Sequence, residues 1–189
     1  MSKYHLAYGS NLNIRQMSHR CPSAIPVGTA IIKDYRLKFK GSRTGSYLTI
    51  EKAKGYEVPV AVWKVNEEDE RALDCYEGYP SFYYKKEIDI DFISVKRKLP
   101  HHAKAFIYIM HEDRNLGVPT KYYVDVCLEG YKTFNFNPER IIEALKLSLE
   151  ENKNANTRNC CGISRNKPRK LFSTWKRIII SQTRKYWKN

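Results

Sequence analysis

Two places in this 189-residue chain carry residue types that could do chemistry. The first is Tyr8-Gly9-Ser10-Asn11-Leu12, a turn directly after the first strand-like run. Backbone N–H groups at such a turn, at the mouth of a helix, form an anion-binding loop. Gly9 lets the backbone approach closely, and Ser10 and Asn11 add side-chain donors. The second is a lone acid, Glu77, in Leu73-Asp74-Cys75-Tyr76-Glu77-Gly78-Tyr79-Pro80. Its neighbours Tyr76, Tyr79, Phe82 and Tyr83 could desolvate the carboxyl and lift its pKa toward neutrality, which suits a proton shuttle. Loop and acid together describe an enzyme that needs neither metal nor cofactor. Taken singly, each has a plainer use: an ordinary strand-to-helix turn, and a solvated acid at a helix end.

The elements around them must position them. Tyr4–Tyr8 reads as a short buried strand, and Asn13 caps a helix over Ile14–His19 that Cys21-Pro22 ends. Val27–Phe39 is a long β-branched and aromatic strand, with Gly28 as a bulge. Gly41–Gly45 is a turn, and Tyr47–Ile50 and Val58–Val65 are two further strands, Pro59 marking an edge or a strand start. Asn66 caps the next helix, with Glu67, Glu68 and Asp69 in its first turn and Ala72, Leu73 and Tyr76 as its apolar stripe. Gly78 and Pro80 stop it, so Glu77 lies in the last turn, where the helix dipole disfavours an acid by roughly 0.3–1 kcal/mol. Phe82–Phe92 and Lys104–Met110 are strands flanking a basic turn at Lys96–Pro100. Thr120 caps a helix over Lys121–Glu129 that Gly130 stops, and Asn137-Pro138 starts a last helix whose face is Ile141, Ile142, Leu145 and Leu149, ending near Asn152. About six strands in front of three or four helices predict an α+β fold, with the sheet curled or closed into a barrel.

Charge divides the chain. Of 34 basic residues, 11 lie from Lys153 onward, where there is no acid, leaving 23 basic against 20 acidic in the body. Residues 1–152 therefore read as one domain and 153–189 as a basic extension, starting with a polar linker over 152–159 and able to form an amphipathic helix with Leu171, Phe172, Trp175, Ile178, Ile179 and Trp187 on its apolar side. Five scattered cysteines, without a CxxC pair, fit reduced thiols, and Cys75 and Cys127 read as small buried hydrophobes. The adjacent His101 and His102 cannot readily chelate one ion from a regular element, and no metal site is expected. No run of 18 uncharged apolar residues and no signal-like N-terminus is present, so a cytoplasmic location is the expectation.

Three separated stretches resemble the γ-glutamylcyclotransferase-like family, which includes the AIG2-like proteins. Tyr8-Gly9-Ser10-Asn11-Leu12 is similar to the family's YGSNL loop. Leu73–Gly78 places Glu77 on the family's catalytic glutamate. Pro119-Thr120-Lys121-Tyr122-Tyr123, with Gly130 seven residues later, is similar to its P-S-x-x-Y…G pattern, Thr120 standing for Ser. Order and spacing agree over roughly residues 3–150, and the tail has no counterpart. The resemblance implies a small mixed β-barrel with surrounding helices and one pocket, and one reaction: a γ-glutamyl amide cyclises to 5-oxoproline and releases its amine. It implies Glu77 as the catalytic base and acid, and Tyr8, Gly9, Ser10, Asn11, Leu12 and Tyr123 as substrate-binding residues. Whether the loop holds the oxyanion or the substrate's α-carboxylate is open at this point. So are the size of the amine and which of Tyr47, Tyr56, Tyr83, Tyr84 and Tyr122 line the pocket. The expected partner is a small γ-glutamyl substrate, with a homodimer also compatible. The competing expectation is a catalytically silent small-ligand barrel whose basic tail binds nucleic acid or an acidic membrane surface.

Overall fold

The β-branched and aromatic runs pair into five strands that close on themselves. In the computed structural model, which describes residues 2–42 and 45–158, these are β1 (Lys3–Ala7), β2 (Ile25–Ser42), β3 (Gly45–Val65), β4 (Tyr83–Ser94) and β5 (Pro100–Met110). Around the barrel the order is β1-β3-β2-β4-β5. All pairings are antiparallel except β1 with β5, a short parallel seam at His5–Phe106 and Leu6–Ile107 that closes the barrel. Leu6, Phe39, Leu48, Ile50, Val60, Val62, Ile107 and Met110 are essentially inaccessible and belong to one continuous core. Each such side chain contributes roughly 1.5–3 kcal/mol on leaving water.

The runs Tyr47–Ile50 and Val58–Val65, expected as two strands, lie on one, β3. Opposite β3, the register of β2 jumps from Lys33–Glu57 to Tyr35–Lys52. The excursion is held by two left-handed residues, Asp34 (φ 59°) and Gly55 (φ 81°), with the Gly55 N–H donating to Asp34 Oδ1 at 2.8 Å. The polar residues between the apolar runs thus bend a continuous strand instead of ending it. Pro59 is mid-strand, not a strand start. It is tolerated because β1 pairs only with residues 61–65, leaving one side of Pro59 without a ladder to supply. Gly28 does mark a bulge, between Pro26 and Gly28, and a Cβ there would meet Phe92 at 2.3 Å.

The helices are α1 (Ile14–Arg20), α2 (Glu67–Glu77), α3 (Lys121–Thr133) and α4 (Glu139–Arg158). In α2 the Asn66 side chain accepts from the Asp69 N–H at 2.8 Å while Asp69 Oδ2 accepts from the Asn66 N–H at 3.1 Å, a complete capping box of about 1 kcal/mol. Gly78, at φ 63°, ends it in the left-handed conformation. All four expected face residues of α4 are buried. That helix runs on through 152–158, which the sequence suggested was linker. The remaining tail lies outside the described residues, so its amphipathic-helix and polyanion-binding expectations do too. Among the described residues no helix is long and apolar enough to cross a membrane, and no His, Cys, Asp and Glu gather in a group that could hold a metal ion.

Gly130 does not stop α3, which continues to Thr133. The glycine serves contact instead. An added Cβ would lie 2.5 Å from Leu12 Cβ and 2.8 Å from the Leu12 carbonyl carbon, because α3 rests directly on the turn at residues 9–12. Gly130→Ala therefore sets a helix-propensity gain of about 1 kcal/mol against overpacking of roughly 1–3 kcal/mol. Backbone atoms cannot yield as a flexible side-chain end would, so the overpacking wins. The expected result is a lower melting temperature, measured by thermal unfolding, despite the better helix former.

Candidate active site

β1 delivers the chain to Tyr8, and a single 3-10 turn over Ser10–Leu12 redirects it into α1. Within the turn the Leu12 N–H donates to the Gly9 carbonyl at 3.0 Å and the Asn13 N–H to the Ser10 carbonyl at 3.1 Å. The amides of Gly9, Ser10 and Asn11 are left without a partner among the described residues. Gly9 is small for a reason of space: a Cβ would come within 3.2 Å of the Tyr123 hydroxyl. Leu12 differs from its expected role. Its amide is committed to Gly9 and its side chain is fully buried against α3, so it anchors the turn and does not line the cavity.

The last residue of α2, Glu77, meets this turn. Asn11 Nδ2 donates to Glu77 Oε1 at 2.8 Å. The other end of the same amide, Asn11 Oδ1, accepts from Arg20 Nη1 at 2.6 Å. Arg20 also donates to the Tyr76 hydroxyl and to Gln16 Oε1, at 2.6 and 2.7 Å, and its guanidinium lies 3.6 Å from the Tyr76 ring centroid. Ser10 Oγ sits 3.3 Å from both Arg20 Nη1 and the Tyr76 hydroxyl. A cation on one side fixes which way Asn11 faces, and Asn11 then presents its NH₂ to the carboxyl on the other. The Asn11 side chain is thus engaged with the acid and that of Ser10 with Arg20 and Tyr76, where the sequence suggested both as ligand donors.

Loss of water pushes the Glu77 carboxyl up to about 7, against the lowering pull of the Asn11 hydrogen bond and the Arg20 charge. Burial wins because seven Tyr and Phe side chains in the cavity lining keep water from the carboxyl. A cavity of about 390 Å³ holds Glu77 together with Tyr8, Gly9, Ser10, Asn11, Tyr47, Tyr76, Phe82, Tyr83 and Tyr123, a volume within the range of small-molecule sites. Tyr8, Tyr83 and Tyr123 are all pushed well above the ordinary phenol range by burial, so they remain neutral donors and acceptors. The Tyr8 hydroxyl donates to the Tyr108 carbonyl at 2.7 Å. On β3, the Leu48 N–H donates to the Tyr123 hydroxyl at 3.1 Å and the Leu48 carbonyl accepts from Tyr83 at 2.9 Å. Tyr123 lines the cavity with Glu77, and its hydroxyl accepts from the strand backbone, which leaves its own proton to donate.

Of the five candidate wall tyrosines, Tyr47 and Tyr83 line the cavity. Tyr56 faces Arg36, Tyr84 bonds Glu112, and Tyr122 is 71% exposed. Tyr79 packs its ring against the Lys85 ammonium and does not line the cavity. Sequence reasoning missed Arg20 and His5. Arg20 looks like any basic residue in a last helical turn. His5 sits in a strand of ordinary alternation, and nothing local marks it.

The shared cavity of loop and acid agrees with what comparison with known proteins finds. The family model for gamma-glutamyl cyclotransferase, AIG2-like, matches residues 6–125. The chain belongs to that family. It is 30% identical to the mouse gamma-glutamylcyclotransferase over 156 residues, 79% of each chain. It is 38% identical to the bovine gamma-glutamylcyclotransferase over 87 residues, 42% of this chain. That match spans about half, 46%, of the bovine protein's length. A solved structure titled gamma-glutamyl cyclotransferase superposes with a TM-score of 0.63 at 27% identity, covering 77% of this chain and 87% of that one. The family match and that neighbour agree with the five-strand barrel and four helices described above, and the match spans both Glu77 and the 8–12 turn.

Proposed function

We propose that the chain is a γ-glutamylcyclotransferase-type enzyme, releasing 5-oxoproline and a free amine from a γ-glutamyl amide without metal or cofactor. The observation that carries this reading is the contact between Asn11 and the Glu77 carboxyl inside a ligand-sized cavity, with that carboxyl poised near pH 7.

The chemistry asks little more of a protein. The substrate's α-amine and γ-carbonyl are already tethered, so folding the substrate into the attacking shape supplies much of the rate; effective molarities of well-oriented cases reach roughly 10⁵–10⁸ M. Glu77 takes a proton from the α-ammonium. The freed nitrogen attacks the γ-carbon, a C–N bond forms, and the carbonyl oxygen becomes an oxyanion. The open amides of Gly9, Ser10 and Asn11 are suited to that oxyanion or to the substrate's α-carboxylate. Glu77 returns the proton to the amide nitrogen and the old C–N bond breaks; the attacking nitrogen, which carries a positive charge once bonded, gives up its second proton to the freed Glu77 carboxylate or to water, and the neutral lactam and the amine depart. One carboxyl suffices because both nitrogens sit on the same tetrahedral carbon. A base with a pKa near the working pH accepts and returns the proton with comparable ease.

The test is incubation of the full chain with a panel of γ-glutamyl amides, following 5-oxoproline by mass spectrometry. No 5-oxoproline from any member would overturn the reading. In the wild type, kcat/KM should climb as pH rises through about 7 and then level, because only the ionised Glu77 can take the proton. A limb centred near pH 4.5 instead would show that burial does not raise the pKa of the titrating base.

A further inference from the structure

His5 is 2% exposed, and neither ring nitrogen makes a hydrogen bond of good geometry; the Phe106 backbone lies near enough to raise its pKa slightly but is not a well-aligned partner. Such a group normally costs about 1–3 kcal/mol and is rare in a folded interior. His5 lines the same cavity as Glu77, but from a different face of the barrel. Side chains alternate along a strand, so His5 shares its face with Ala7, and Phe106 with Tyr108. The His5 ring packs against Phe106 and Tyr108, at centroid distances of 5.1 and 5.5 Å. Lys85 stands over the same two rings and binds Glu70 and Asp74 of α2. The lining that Cys75, Tyr108 and His5 add to the Glu77 cavity forms its arm on this side.

Charge in that arm is already cancelled. Lys85 pairs with Glu70 at 2.7 Å and Asp74 at 2.8 Å, Glu70 also with Lys3 at 2.7 Å, and the Tyr108 hydroxyl donates to Asp74 at 2.7 Å. Burial holds the imidazole down to about 3, so at neutral pH the ring carries one N–H donor and one bare nitrogen acceptor. A carboxylate entering the arm would give up its water for one neutral donor, and an ammonium for one neutral acceptor; neither exchange is favourable. A group that both donates and accepts, and carries no charge, satisfies both nitrogens.

Resting on the cyclotransferase reading, we infer that His5 is a specificity-determining residue, whose ring binds an uncharged, hydrogen-bonding end of the departing amine, such as a carboxamide or hydroxyl. The family comparison does not supply this; it follows from an orphaned imidazole at the end of a cavity arm.

The experiment compares γ-glutamyl-glycinamide, γ-glutamyl-isobutylamide and γ-glutamyl-glycine, which differ only in a terminal carboxamide, isopropyl or carboxylate, together with their homologues one methylene longer. Wild-type kcat/KM should favour the carboxamide by about tenfold or more over both others, mostly through KM, since one satisfied buried polar group is worth about that factor. His5→Phe, which matches the flanking aromatic rings in shape, should bring the carboxamide down to the level of the isobutylamide. Equal preference in wild type and variant overturns the proposal. A second readout does not require turnover. Imidazole nitrogen resonances of unmutated His5, assigned by their absence in His5→Phe, should move when glycinamide or γ-glutamyl-glycinamide is added to Glu77→Gln protein. Unmoved resonances at saturating ligand also overturn it. If wild type forms 5-oxoproline from nothing in the panel while glycinamide still shifts His5, the cyclotransferase reading fails and the subsite stands.

Discussion

Glu77→Gln should abolish 5-oxoproline release while making the protein more stable above pH 7. The activity loss is expected at about 10³-fold or more, since one group serves as both base and acid and positioned proton transfer alone is worth roughly 10²–10⁴. The stability gain follows from the same burial. In the unfolded chain the carboxyl has its usual pKa of 4.5; in the fold it is pushed to about 7. Between those values the folded protein holds a proton that the unfolded chain has released. Stability from this group is fully present below about 4.5 and declines as pH rises through 7, by up to about 3 kcal/mol for 2.5 pKa units. Glutamine keeps an oxygen for Asn11 Nδ2 and has no charge to desolvate. Melting curves at pH 5 and pH 8 should therefore nearly coincide for wild type and variant at pH 5 and separate in the variant's favour at pH 8. An active variant, or one that melts lower than wild type at pH 8, would contradict the assignment.

Asn11→Leu is the second large effect. Leucine matches asparagine in outline but cannot bridge Arg20 and Glu77. The hydrogen bond that lowers the Glu77 pKa is lost, and desolvation then acts with less opposition. The ionised base is reached only at higher pH, so the acid limb of kcat/KM should move upward from about 7. At pH 7 the rate should fall by about 10–100-fold and recover in part by pH 9, where the carboxyl is ionised even without the amide. A uniform loss at every pH, with the limb unmoved, would mean that Asn11 only shapes the turn. Arg20 lies one step further out and acts through Asn11 as a positioning residue.

Local rules carried the reading of α2 and of the turn. Asn66 and Asp69 form the capping box whose residue types announce it, and Gly78 takes the left-handed position that a helix stop requires. The two halves of the site, turn and acid, were visible as a strand-to-helix turn and a misplaced helix-end carboxylate. What joins them was not. Their contact spans 66 residues of sequence and depends on a guanidinium that looks locally like an ordinary helix-end cation. Gly130 misled for a similar reason: a helix-terminal glycine and a close-approach glycine are the same letter, and only the Leu12 backbone opposite distinguishes them. The length of β3 was missed because the charged and glycine-bearing stretch Glu51-Lys52-Ala53-Lys54-Gly55 imitates a turn, whereas the bend it makes leaves the strand unbroken. His5 drew no notice because its isolation is a property of its surroundings.

The two hydroxyls on Leu48 have a wider consequence. A residue in an antiparallel ladder aims its N–H and C=O to the same side. At Leu48 that side points away from β2, toward a position where no further strand lies, and Tyr123 and Tyr83 fill the vacancy. This stretch of β3 is thus a sheet margin, a gap filled by side chains instead of by a strand. Unguarded, such a gap would be an adhesive margin on which a second polypeptide could dock and polymerise. The same pair of phenols lines the cavity and denies the margin to an extended chain, so the cavity wall and resistance to clumping rest on the same two side chains.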